Sequence, residues 1–112
     1  MKSITLKITK EKIGEKEMFF SSYELLKMAI NTTPQQGFNV DEMQKRLRLL
    51  AELDKHKERF NIEEKDFNDS FLERTAELEL EDSDYAKLKE LIKDSKWGVI
   101  SQSIVDLCNQ FN

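Results

Sequence analysis

Few residues in this chain could hold structural zinc or form a disulfide. Its 112 residues include one cysteine, one histidine, one proline and three glycines. A disulfide needs two cysteines and structural zinc needs four Cys or His ligands, so Cys108 and His56 are too few for either. The glycines, Gly14, Gly37 and Gly98, are too far apart for a phosphate-binding loop. We expect no metal site and no cofactor.

Long apolar runs are also missing from the sequence. No stretch approaches the ~18 consecutive apolar residues that a membrane span requires. The first residues alternate between apolar and polar types, unlike the apolar core of a signal peptide. We therefore expect no membrane contact, and a cytoplasmic location is the default.

The residues of an enzyme active site are not evident. Nucleophilic catalysis commonly needs a histidine beside the nucleophile, but His56 lies in a charged run that resembles a solvated helix end. The chain has 22 Asp and Glu residues, and no carboxylate pair stands out among them. We expect a protein that is not an enzyme.

Two segments have the alternating pattern of half-buried strands. Ile4, Leu6 and Ile8 alternate with polar residues, and Ala76, Leu78 and Leu80 alternate with glutamates. The charged residues 10–16, which include Gly14, indicate a turn or loop. A third strand could come from residues 15–20 or 67–75.

Four helices are indicated by capping residues and apolar spacing. Ser21 with Glu24 forms a capping box for a helix over residues 22–30, and Asn39 can cap a longer helix over residues 40–59. A third helix is predicted over residues 83–94, and a last one is capped by Ser101 or Ser103.

The long helix has an apolar stripe that predicts its buried face, formed by Val40, Met43, Leu47, Leu50 and either Leu53 or Asp54. With the two or three strands, these helices predict a small α+β fold. In it, an antiparallel sheet packs against about four helices, and residues 1–112 form a single domain.

Charge is divided unevenly along the chain. Residues 1–60 carry a net charge of +3 and residues 61–112 carry −7, which gives −4 for the whole. A charged surface keeps a small protein soluble, and such asymmetry can also orient a partner or favour self-association.

Three sets of residues are candidates for binding a macromolecule. Lys45, Arg46 and Arg48 lie on the long helix and could contact nucleic acid, although acidic residues on the same helix oppose this. The glutamates of the second strand could imitate a row of phosphates or meet a basic partner, or they could form a solvated strand face; they are Glu77, Glu79 and Glu81. Aromatic residues could form a protein-binding patch or belong to the core; they are Phe67, Phe71 and Trp97.

Two stretches, Gly37–Asp54 and Leu78–Lys89, followed by Lys96 and Trp97, resemble a class of small, mostly uncharacterised proteins encoded by tailed bacteriophages or prophages. The similar portion covers about half of the chain. It consists of a capped helix and of a strand that leads into another helix. The resemblance implies an accessory protein located in the cytoplasm of the infected cell or in the virion, and it transfers no site residues.

These observations predict a non-enzymatic protein-binding module that acts on a phage structural protein or a host protein, and it could also form homo-oligomers. The alternatives are a small DNA-binding regulator that uses the basic helix over residues 40–59, and an acidic inhibitor that mimics nucleic acid.

Overall fold

The structure, a computed structural model, describes residues 1–60 and 74–111, apart from the side chain of Ile13. The elements follow one another as β1 (Lys2–Ile13), β2 (Lys16–Ser21), α1 (Ser22–Asn31), α2 (Val40–Asp54), β3 (Thr75–Leu80), α3 (Asp82–Asp94) and α4 (Gln102–Asn109). This is the predicted α+β fold.

The sheet is antiparallel and has the strand order β2-β1-β3. The first half of β1 pairs with β3, from Lys2 opposite Leu80 to Lys7 opposite Thr75. Its second half pairs with β2, from Ile8 opposite Ser21 to Ile13 opposite Lys16. The third strand therefore comes from residues 16–21, close to one of the two predicted segments.

The prediction of a loop over residues 10–16 was wrong for residues 10–13, which continue β1. These residues are largely charged, so they lack the alternation that marked the first half of the strand. Pairing with β2 holds them extended. The turn is only Gly14 and Glu15, and Gly14 has a φ of 64°, as the first residue of a type II′ hairpin turn requires.

The core lies between one face of the sheet and the helices. Ile4, Leu6 and Ile8 of β1 and Leu78 and Leu80 of β3 are almost wholly buried. The predicted inward residues of α1 are all buried: Leu25, Leu26, Ala29 and Ile30. Burial of this apolar surface is the main term that stabilises the fold.

The edge of β1 beyond the end of β2 is covered by the C-terminal helix. The side-chain amide of Gln110 accepts a hydrogen bond from the Thr5 N–H at 2.8 Å and donates one to the Thr5 carbonyl at 3.0 Å. The Ser22 hydroxyl accepts from the Lys7 N–H at 3.2 Å. Side chains thus replace a fourth strand here, which blocks pairing with another chain along this edge.

The predicted helix starts are confirmed at three caps. Ser21 accepts from the Glu24 N–H, Asn39 from the Glu42 N–H and Ser101 from the Ile104 N–H. The predicted end of α2 near Arg59 was wrong, because the helix stops at Asp54 and residues 55–60 form turns. Residues 54–59 contain no apolar side chain, so a longer helix would gain no packing against the core.

A glutamate from the hairpin caps the start of α4. The Glu11 carboxylate accepts from the hydroxyls of Ser101 at 2.7 Å and Ser103 at 2.8 Å, and from the N–H groups of Gln102 and Ser103. A carboxylate is stabilised at this end of a helix. These bonds, led by that from Ser101, hold the pKa of Glu11 below its ordinary value.

We expect Glu11→Gln to lower the thermal midpoint at pH 7. A carboxyl whose pKa is lowered in the folded state stabilises the fold above its unfolded pKa of about 4.3, and this stability disappears as the pH falls through the lower folded value. The difference in midpoint between wild type and variant should therefore shrink on acidification from pH 7 to pH 3. Glu15→Gln at the hairpin tip is the matched control. A difference that is constant with pH, or equal in the control, would contradict the capping role.

Among residues 1–60 and 74–111, none of the helices combines the length and the apolar character needed to cross a membrane.

Candidate partner-binding site

Helix α2 exposes the first three residues of the apolar stripe that its sequence predicts to be buried. Val40 is 69% exposed, Met43 45% and Leu47 62%, whereas Leu50 is partly buried. The prediction that this stripe faces the core was therefore wrong for Val40, Met43 and Leu47, whereas Leu53 at its end is buried as predicted. The buried face carries Arg46, Leu49 and Leu53 instead.

The stripe borders an open groove between α1 and α2. Ile30 and Asn31 at the end of α1 form one side, Phe38 lies in the connection between the helices, and Met43, Arg46, Leu47 and Leu50 complete the lining. The groove has a volume of about 190 Å³. Its lining is mostly apolar, because Asn31 and Arg46 are the only polar residues among the described ones that form it. We call this surface the α2 groove.

Arg46 fixes the position of α2 relative to α1. Its guanidinium donates to the carbonyl oxygens of Ile30 at 2.8 Å and Thr32 at 2.7 Å, which lie at the end of α1. It also lies over the Phe38 ring, 4.6 Å from the ring centre. One side chain thus satisfies the end of α1 and orients the aromatic wall of the groove.

Glu42 links Arg46 to the third helix. Its carboxylate accepts from Arg46 Nε at 3.0 Å and pairs with Lys87 Nζ of α3 at 2.7 Å. The hydrogen bond from Lys87 is the largest cause that lowers the pKa of Glu42, so this carboxyl is ionised at neutral pH. The network anchors one face of α2 in the domain and leaves the stripe on the other side.

The basic residues proposed for nucleic acid are all engaged with acidic groups. Lys45 pairs with Asp41 at 3.1 Å and Arg48 with Asp84 at 2.7 Å. Arg46, only 8% exposed, is held by the network described above. No continuous row of free cations faces solvent on α2.

The three candidate glutamates, two on β3 and Glu81 directly after it, are divided between two environments. Glu77 accepts from the hydroxyls of Ser3 at 2.7 Å and Thr5 at 2.8 Å, bonds that lower its pKa, with Ser3 the larger cause. Glu79 and Glu81 instead border a depression that also includes Glu52 and Lys55 of the α2 end.

Trp97 is half-buried and packs against the core, which agrees with a partly structural role. It also lines depressions on both sides of the connection between α3 and α4. Phe67 and Phe71 lie outside the described residues.

No family model, curated protein or solved structure matches this chain. Its function is therefore inferred from its own surfaces.

Chemistry in the described part of the chain is limited. No group of three or more His, Cys, Asp or Glu residues within 1–60 and 74–111 is arranged to hold a metal ion. Burial raises the pKa of the Cys108 thiol, which keeps it protonated and makes it a poor nucleophile.

Sequence reasoning missed the α2 groove because the helix carries two adjacent apolar stripes. Leu49 and Leu53 form one and Met43 and Leu47 the other, with Leu50 at their boundary. Arg46 lies within the first stripe, which made that stripe look like the solvent side. The only signal in the sequence was this surplus of leucines, more than one buried face needs.

Proposed function

We propose that the protein is a non-enzymatic protein-binding module that receives an amphipathic helix of a partner protein in the α2 groove. The observation that carries the proposal is the exposure of Val40, Met43 and Leu47 beside an apolar groove. Contiguous exposed apolar surface on a small protein is typical of interaction sites.

A helix is the occupant that best fits this surface. Val40, Met43, Leu47 and Leu50 are separated by three, four and three residues, the spacing at which one helix receives the side chains of another. Burying the exposed parts of the first three would contribute about 4 kcal/mol before the costs of association. This free energy alone would give a weak, reversible complex, and contacts with other surfaces of the partner would add to it.

The rim of the groove has little net charge to select a partner. Asp41 and Lys45 neutralise each other, and Arg46 is neutralised by Glu42. Specificity would therefore come from the shape of the apolar pocket between Phe38 and Leu47, which favours a large apolar side chain at its centre.

The phage or prophage origin implied by the resemblance is part of the proposal. The module would act as a virion or assembly accessory, or as a binder of a host protein, in the infected cell or the virion. Genomic neighbourhood tests this part. Adjacent capsid or tail genes favour assembly, early lytic genes favour host binding, and a locus without phage genes would contradict it.

The two alternatives differ in their support. Nucleic-acid binding gains none from Lys45, Arg46 and Arg48, each of which has an acidic partner. The acidic mimic would use Glu79 and Glu81, whose exposed carboxylates have no hydrogen bond or ion pair within the described residues.

Capture of partners with matched variants tests the α2 groove. We expect wild type and Val105→Glu to retain one stoichiometric protein from infected-cell lysate, and Leu47→Glu to lose it. Val105 is the control because it is also an exposed apolar residue on a helix, 49% exposed, but lies on α4. All three proteins should have the same circular dichroism, since neither substitution alters the core.

Three outcomes would contradict the proposal. They are equal retention by Leu47→Glu, the absence of any stoichiometric partner, and self-association that Leu47→Glu abolishes. The last, measured by sedimentation velocity over a range of concentrations, would identify a second copy of this chain as the occupant instead of a partner's helix.

A further inference from the structure

A second groove lies between α3, α4 and their connection. Its apolar lining consists of Ile92, Trp97, Cys108 and Phe111, and it has a volume of about 490 Å³. Lys89, Lys93 and Ser95 supply its polar groups. We call it the Trp97 groove. It shares no residue with the α2 groove.

The described side chains that border the Trp97 groove offer hydrogen-bond donors and almost no acceptors. Lys89 and Lys93 carry ammonium groups, and Trp97 carries an indole N–H. Cys108 stays protonated because burial raises the pKa of its thiol. Ser95 already donates its hydroxyl to the Leu91 carbonyl at 2.7 Å. A ligand that complements this set must bring acceptors.

The two ammonium groups are exposed and have no acidic partner within residues 1–60 and 74–111. They are one helical turn apart on α3, so they lie on the same side of it. The acidic residues Glu90 and Asp94 line a different depression, together with Lys87. Lys89 and Lys93 therefore border the apolar groove, and Glu90 and Asp94 do not.

We propose that the Trp97 groove binds a peptide segment of a partner protein in which large apolar side chains alternate with carboxylates. The carboxylates meet Lys89 and Lys93, and the apolar side chains contact Trp97 and Phe111. The groove is partly open to solvent, which suits a segment of a longer chain, whereas a free amphiphile needs a more enclosed cavity. This site is independent of the α2 groove, and neither proposal needs the other.

Trp97 is the only tryptophan, so its fluorescence reports directly on this groove. The probe is a synthetic peptide in which Leu and Phe alternate with Glu, and its counterpart has Gln at every Glu position. We expect the Glu peptide to shift Trp97 emission to shorter wavelength with saturation. The Gln peptide should bind at least about tenfold more weakly, and added salt should weaken the Glu peptide selectively.

Charge reversal at the two lysines provides the matched test. Lys89→Glu with Lys93→Glu should weaken the Glu peptide at least about tenfold. Lys12→Glu with Lys16→Glu changes the net charge equally on the hairpin, at two exposed residues that do not line the groove, and should leave binding unchanged. Circular dichroism and thermal midpoints of both double variants establish that each is folded.

Each remaining result overturns the proposal. Equal binding of the Gln peptide, or equal loss in the two double variants, would remove the specific role of Lys89 and Lys93. A shift with dodecanoate but not with the Glu peptide would assign the groove to a free amphiphile. Absence of any shift with the Glu peptide would end the proposal and would leave the α2 groove unaffected.

Discussion

Replacing Arg46 with methionine is expected to lower the free energy of unfolding by about 3 kcal/mol, as measured by urea denaturation. The guanidinium is buried and donates to two carbonyl oxygens at the end of α1. Methionine fills part of the space but has no donor. The carbonyls of Ile30 and Thr32 would lose their partner, and a buried acceptor without a partner is costly.

The substitution also removes an ion-pair partner of Glu42. In the wild type its carboxylate is shared between Arg46 and Lys87, so removal of Arg46 leaves one cation where there were two. Arg46→Lys should recover only part of the stability, because an ammonium group cannot reproduce the fork that reaches Glu42 and both carbonyls.

Lys45→Met is the matched control for this prediction. It removes the same charge from the neighbouring position, but Lys45 is exposed and pairs only with Asp41 on the same helix. Its cost should be below about 0.5 kcal/mol. Similar costs for the two variants would contradict the structural role of Arg46.

A test of nucleic-acid binding should use Lys45 and Arg48, since loss of binding in an Arg46 variant would also report unfolding.

Elements with a local signal could be predicted from the sequence. Ser21 and Asn39 fixed the starts of α1 and α2, since a capping side chain bonds to a backbone N–H only three residues away. The predicted helix over residues 83–94 differs from α3 by one residue. Strand alternation at Ile4 and Leu78 likewise depends only on neighbouring residues.

Features that depend on distant residues could not be predicted. Residues 10–13 of β1 are largely charged, and they become a strand because β2 pairs with them. The cap that Glu11 provides for α4 joins residues 90 or more positions apart. Neither relation leaves a periodic pattern in the chain.

The candidate site could not be predicted for the same reason, because the face of α2 that is buried depends on distant residues. Both stripes have helical spacing, so periodicity alone could not choose between Leu47 and Leu49. The carbonyl oxygens at the end of α1 accept hydrogen bonds from Arg46, so the stripe that contains Arg46 and Leu49 is the one that is buried. An arginine amid leucines looked solvent-facing because its acceptors lie 14 and 16 residues away.

A pair of leucine-to-alanine variants on α2 tests which stripe is buried. Leu49→Ala is expected to lower the free energy of unfolding by about 3 kcal/mol, because Leu49 is only 1% exposed and its truncation leaves a cavity in the core. Leu47→Ala should change it by less than about 0.5 kcal/mol, since most of that side chain already contacts water. Urea denaturation of both variants measures the difference.

The pair is its own control, because both sites are interior positions of one helix and the same atoms are removed from each. Any gain in helix propensity from alanine is therefore common to the two and cancels in their difference. The opposite order, with Leu47→Ala the more damaging, would restore the face predicted from the sequence and remove the α2 groove as a binding surface. With the expected order, Leu47 contributes little to folding, and an effect of Leu47→Glu on partner capture then reports on binding itself.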